Sequence, residues 1–334
     1  MYVGLDVSKK EIVYIGKDSV GNELYHNCIP TSIEGMNTLI SDIGAGNILT
    51  VEASTHGIFV YDYLISRGMD VKMANPSKLR LIYDSWKKTD NEDALKLAEL
   101  LRMNALPVCY VPDKRTRELR DIIRYGRSIV ESRTKLKNQI RALVAREGID
   151  VPYKDILGLK AVKMLKKIDL SNEIKGDILN RRIDIALRYK SEINDCDEKI
   201  SEKFTSMKYA DLLDSVPGIS TYSAVHIASA IGNIRRFPSD QELASYAGLV
   251  PKISQSGERR RDSGLKPGDM QLSTVLIQDA NAAIKCSRYF KKYYLKQKKR
   301  KGHQKAMVSV ARKMVEIIYV MLTRGKSYRE NYRK

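Results

Sequence analysis

Residues 2–29 read YVGLDVSKKEIVYIGKDSVGNELYHNCI. Three runs rich in β-branched and aromatic residues, YVGLDVS, EIVYIG and ELYHNCI, are separated by short polar segments, the second carrying Gly21-Asn22. Runs of this kind joined by turn residues predict three strands in an antiparallel meander. NILTVEAS predicts a fourth strand over residues 48–53, and MDVKMANP a fifth, stopped by Pro76. Between these two, Phe59, Tyr63 and Leu64 at helical spacing predict a helix over residues 58–66, and another helix runs from Asp90 to about Asn104. Three strands, then strand, helix, strand and helix, is the order of an RNase H-like (RuvC-like) domain. Its mixed sheet accounts for all five strands. This α/β domain is assigned to residues 1–113.

Beyond residue 113 the periodicity changes. Leu119, Ile122, Ile129, Leu136, Ile140 and Leu143 recur every three, four or seven residues, and Ile174, Ile178, Ile185, Ile193 and Ile200 mark a second long helix. With a break near Gly148–Pro152, they predict a helical hairpin of coiled-coil type over residues 114–206. The remainder, 207–334, is expected to be mostly helical. It opens with LLDSVPGISTYSAVHIASAIG, where an apolar helix, a Pro217-Gly218 turn and a small-residue helix resemble a helix-hairpin-helix motif, whose turn amides around Gly218 suit a DNA phosphate. The polar stretch KISQSGERRRDSG, residues 252–264, reads as a loop. RYFKKYYLKQKKRKGHQK, residues 288–305, is a basic run interleaved with aromatics between two helices, and Lys298, Lys299 and Arg300 in it are candidate backbone contacts.

Charge separates along the chain. Residues 1–113 hold 11 Lys+Arg and 15 Asp+Glu, a net of −4, whereas the remainder nets +23 within a total of +19. A strongly basic region joined to an acidic domain points to a polyanionic partner for the basic part. The four cysteines, Cys28, Cys109, Cys196 and Cys286, lie far apart and form no C-x-x-C pair, which argues against a disulfide framework or zinc site and fits a reducing cytoplasm. The N-terminus lacks a signal peptide's apolar run, and no apolar stretch approaches the roughly 20 residues that span a bilayer, so no membrane is expected.

The acids carry the chemistry. Asp6 closes the first strand and Glu52 the fourth, while Asp90 and Asp93 lie three residues apart on one face of a helix. First and fourth strands are neighbours in an RNase H-like sheet, and the helix after the last strand packs beside their ends, so the four carboxylates are expected to meet. Crowded carboxylates repel unless a cation sits among them. Two Mg²⁺ (or Mn²⁺) ions per site would neutralise them and clamp a phosphodiester on its attacking and leaving oxygens. Glu92 points away from the Asp90/Asp93 face.

Taken together, GLDVSK, VEAS and KTDNEDA, followed by VPGIS, YAGLVP and a Ser-Gly pair, resemble the DEDD transposases of insertion-sequence family one-ten, relatives of the Piv DNA invertase. The resemblance covers almost the whole chain. It implies that Asp6, Glu52, Asp90 and Asp93 form the acidic quartet and that Ser256 is the nucleophile of a distinct transposase domain, forming a serine–DNA phosphoester during strand exchange. It also implies a bridge RNA as guide. Gln255 stands where the family often has serine, and Ser254 and Ser263 are the alternative nucleophiles. Arg259, Arg260 and Arg261 would hold a nucleic-acid phosphate. Donor and target duplexes must be handled together, so a dimer or tetramer is expected. The competing reading is a metal-dependent RuvC-like Holliday-junction endonuclease that uses water and leaves Ser256 as structure. An actin-like ATPase needs a second phosphate loop that the sequence does not contain.

Overall fold

A computed structural model describes residues 1–82, 89–204, 207–256 and 259–330; of residues 253–256 and 259–263 it describes the backbone alone. The chain divides into two units, Met1–Val111 and Pro112–Lys334.

In the first unit, β1 (Tyr2–Val7), β2 (Glu11–Lys17) and β3 (Glu23–Pro30) form the antiparallel meander. A helix, α1 (Ile33–Ile43), then leads to β4 (Ile48–Glu52), which lies parallel to β1. After α2 (Thr55–Ser66), β5 (Asp70–Ala74) adds parallel to β4, and α3 (Pro76–Ile82) and α4 (Asp90–Arg102) follow. The sheet order is β3-β2-β1-β4-β5, a mixed sheet. Helix α1 adds to the elements expected from the sequence. Its start is nevertheless written there: Ser32 accepts a hydrogen bond from the Gly35 amide as N-cap, and Met36, Leu39 and Ile43 are buried at helical spacing.

Alternation along the strands sorts residues to two faces. Val3, Leu5, Ile12, Tyr14, Leu49 and Val51 face Met36, Leu39, Val60 and Leu64 of α1 and α2, and form the main core. Val13 and Ile15 face Ala94 and Leu95 of α4 on the other side. Burying each such aliphatic side chain contributes about 1.5–3 kcal/mol. Gly4 permits the close approach of α4: a Cβ there would lie 2.1 Å from the Ala94 carbonyl oxygen and 2.5 Å from the Ala98 nitrogen. At the far end of α4, Lys17 Nζ bonds Glu99 at 2.9 Å and Arg102 reaches the Ser19 carbonyl at 3.2 Å. Hydrogen bonds from Arg102 and Lys17 hold the Glu99 carboxyl down at about 2. Lys17 pairs with Tyr2, the start of β1, so α4 runs antiparallel to β1 and its first turn overlies the sheet end that bears Asp6.

The second unit begins with α5 (Lys114–Ala145), a short α6 (Leu159–Leu165) and α7 (Glu173–Glu202). Ile140 and Val144 pack with Leu179, Ile183 and Ala186, while Leu119 and Ile123 pack with Ile200, so α5 and α7 are antiparallel. Next come α8 (Ala210–Asp214), α9 (Thr221–Ile231), a 3₁₀ turn at Ile234–Arg236 and α10 (Asp240–Tyr246). The strands β6 (Pro251–Ser256) and β7 (Arg259–Leu265) precede α11 (Met270–Cys286) and α12 (Arg288–Arg324). Two expectations change here. The stretch at 252–264 is an antiparallel hairpin, not an irregular loop. The basic run 288–305 is not a connector but the start of α12, which bends at Gly302 with φ at 77°. Straight-chain Lys, Arg and Gln are good helix formers, and these dominate the run. Among the described residues no helix is long and apolar enough to cross a membrane.

Candidate active site

The parallel ladder between β1 and β4 ends at the pair Leu5 and Val51, both fully buried on the α1/α2 face. Asp6 and Glu52 follow one residue later on neighbouring strands, and alternation turns both to the α4 face, the face shared with Gly4 and Thr50. Adjacent strands lie about 4.8 Å apart, so the two carboxylates are lateral neighbours. Each is half-buried.

The first turn of α4 brings Asp90 and Asp93 over the same sheet end, with Thr89 accepting a hydrogen bond from the Glu92 amide as N-cap. That turn leans toward β3: Asn91 Oδ1 meets His26 Nε2 at 3.2 Å, and Cys28 has its thiol pushed up by burial, by its hydrogen bond to Glu11 and by the charge of Asp90. Glu52 lies on the opposite side of Asp6, on β4. Lys96 bonds Asp93 at 3.4 Å and approaches Glu92 at 3.8 Å, so an ammonium group sits between the two. Among the described residues no three His, Cys, Asp or Glu side chains form a group that could hold a metal ion. The donors are hard carboxylate oxygens, the type that Mg²⁺ and Mn²⁺ take. They share one sheet end without converging on one centre.

Ser256 ends β6, and the hairpin register sets it opposite Arg259, with Gln255 opposite Arg260 and Ser254 opposite Arg261. Gly257 and Glu258, and the side chains of Ser254, Ser256 and the three arginines, lie outside the described residues. Gly218 stands in the turn between α8 and α9 with φ at 92°, where a Cβ would come within 2.4 Å of the Ala283 nitrogen. Close packing on α11 therefore requires glycine there by itself. Lys298, Lys299 and Arg300 are exposed on α12, and Lys298 lies 5.8 Å from the Tyr294 ring centre.

Several features around these residues were not singled out from sequence. Lys96 had a legible signal, since it follows Glu92 and Asp93 by four and three residues on a helix. Arg120 of α5 donates to the carbonyls of Ser229 and Ala230 at 2.8 and 2.9 Å, and Arg236, packed against the adjoining rings of Phe237 and Tyr246, donates to those of Ala230 and Ile231. Two guanidinium groups thus cap the C-terminus of α9, where the helix dipole favours cations. No spacing rule links residues 120 and 236 to that end. Nor does one reveal buried Asp279, whose carboxylate accepts from Ser223 Oγ at 2.8 Å and whose pKa burial raises to about 7.

Fold and site together define an α/β domain with acids gathered at one end of a mixed sheet, joined to a basic helical unit. Residues 3–147 match the family model of the IS110-type DEDD transposases, and residues 210–295 match the model described as the transposase IS116/IS110/IS902 family. The chain is 25% identical to the transposase for insertion sequence element IS1111A of Coxiella burnetii, over 98% of this chain and 91% of that one. It is 21% identical to the transposase for insertion sequence element IS1328 of Yersinia enterocolitica, covering 83% of this chain and 84% of the relative. The pilin gene-inverting protein of Moraxella bovis is 32% identical over 36% of this chain and 38% of its own. The chain belongs to the IS110/IS116 family of transposases.

Proposed function

We propose that the chain is a DNA transposase or recombinase whose RNase H-like domain and serine hairpin act together in strand cleavage and exchange. The observation that carries this is the in-register placement of Asp6 and Glu52 at the end of two parallel strands, beneath the acidic first turn of α4. Asp6, Glu52, Asp90 and Asp93, which share a sheet end but do not converge on one centre in this structure, would hold divalent magnesium or manganese, two ions per site, once drawn together around bound DNA. Such an ion polarises a phosphodiester and offsets charge developing on its oxygens. The Oγ of Ser256 attacks the phosphorus: an O–P bond to serine forms, the bond to one DNA oxygen breaks, and the leaving DNA hydroxyl takes a proton while serine loses one. A free DNA hydroxyl of the exchange partner then reverses the step, so religation needs no external energy source. Arg259, Arg260 and Arg261 neutralise the phosphate before and after attack. Donor and target duplexes are joined by a dimer or tetramer, and a bridge RNA supplies sequence recognition by base pairing while the protein reads backbone and shape.

The test is to incubate the protein with RNA from its element, Mg²⁺ and labelled donor DNA, and to resolve the products on a denaturing gel. A protein-linked DNA band that Ser256→Ala abolishes is the expected result. Strand cleavage at full rate without any such band would overturn the serine mechanism and leave water as the nucleophile.

A further inference from the structure

The second unit holds a cleft that none of the acids or the serine accounts for. It lies between the root of the hairpin, at Pro251, Gly264 and Leu265, and the α12 segment from Lys301 to Glu316, with a volume of about 550 Å³. Its wall is apolar where fully buried Leu249, exposed Leu265 and half-buried Val308 line it, and Tyr293 adds a ring. Lys301, Lys305 and Arg312 line the other side. The bend at Gly302 falls between the two lysines.

The charge is graded. Lys301 and Lys305 are exposed at one end. At the other, Glu316 holds Arg312 at 3.9 Å and Lys313 at 2.9 Å, so Arg312 is partly neutralised and a carboxylate faces the lining. A phosphate is attracted to the lysine end and repelled from the Glu316 end. A flat, uncharged group with donor hydrogens fits the reverse: the Tyr293 ring offers a stacking face and Glu316 an acceptor. The volume falls within the range of single small-ligand sites, and such a cleft cannot admit a duplex.

We infer that this cleft takes one unpaired nucleotide of a polynucleotide, with its phosphate on Lys301 and Lys305 and its base against Tyr293 toward Glu316. The inference rests on the nucleic-acid function proposed above and makes the root of the serine hairpin the place where a strand leaves the duplex. Extruding a base from the stack exposes the ring faces and edges that a closed helix shields, so the Tyr293 ring can reach them. DNA and RNA share this chemistry.

The test uses the full chain and fluorescence anisotropy with three probes of one sequence: single-stranded DNA, single-stranded RNA and duplex DNA. Lys301→Ala with Lys305→Ala, and separately Tyr293→Ala, should weaken single-strand binding by about tenfold while duplex binding changes by less than about twofold. Tyr293→Phe should retain the wild-type value, because the ring face remains. The probe that loses more affinity identifies the strand as DNA or RNA. Equal loss on single strand and duplex would overturn the inference, making the cleft ordinary basic surface, and so would no loss on either. The serine-adduct assay reads the proposed reaction separately: wild-type protein that binds single strands through these residues yet forms no adduct sinks the mechanism and leaves the cleft standing.

Discussion

Asp6 and Glu52 stand side by side because Leu5 and Val51 face each other as the last rung of the parallel ladder between β1 and β4. The rung hides two aliphatic side chains in the core and, by alternation, turns the next residue of each strand to the opposite face. The candidate site and the core are thus coupled through a single register. A one-residue slip would exchange core and acid positions together.

Removing either acid should therefore separate activity from stability. Asp6→Asn or Glu52→Gln is expected to lower DNA cleavage by about 10²-fold or more with only a small change in melting temperature, since the isosteric amide keeps the side chain's shape and one acceptor oxygen. Cleavage rates on labelled DNA and thermal unfolding curves would check both halves. Cleavage at the wild-type rate would remove that acid from the mechanism.

Glycines at two positions should respond with opposite sign. Gly4→Val places carbon on the backbone of α4 and is expected to cost about 3 kcal/mol in urea unfolding, with loss of the first unit's cooperative packing. Gly176→Ala, inside α7 with nothing within 4 Å of the new Cβ, should stabilise by about 0.5–1 kcal/mol.

Asp279 predicts a pH dependence. It is buried, one carboxylate oxygen bonds Ser223, and the other finds no hydrogen-bond partner. Burial raises its pKa to about 7, so the folded chain favours the protonated acid. That contribution to stability is whole below the unfolded value of about 4 and is lost as the pH rises through about 7. Asp279→Asn, which keeps the acceptor for Ser223, should thus match wild type near pH 4 and exceed it by roughly 2–4 kcal/mol at pH 8. Denaturant curves at the two pH values test this; a constant difference would refute it.

Arg120 should matter through its hydrogen bonds more than its charge. Arg120→Met keeps the stem but strips the bonds to the Ser229 and Ala230 carbonyls, with an expected loss of about 2–3 kcal/mol in thermal unfolding. Arg120→Lys should restore only part of it, because an ammonium cannot span both carbonyls in one plane.

Local signals in the sequence determined the five strands of the first unit, the two long helices and the charge segregation, and they pick out the candidate acids. The β-branched and aromatic runs YVGLDVS and EIVYIG and the three-, four- and seven-residue spacing from Leu119 to Leu143 are properties of single segments, and each element can be read from its own residues. Short range also limited the reading. The helix at 33–43 is hidden between two strand signals despite its Ser32 cap, and the hairpin at 251–265 reads as polar loop because its residues are not the β-branched and aromatic types that mark strands. Tertiary structure alone decided that α4 crosses the sheet antiparallel to β1 with its first turn leaning toward β3, and that Gly4 and Gly218 are glycines for want of space. It also set Arg120 and Arg236 on one helix end and opened a cleft between the hairpin root and α12. Each of these depends on atoms brought together from distant parts of the chain, and distance in space is not written in the spacing of residues along it.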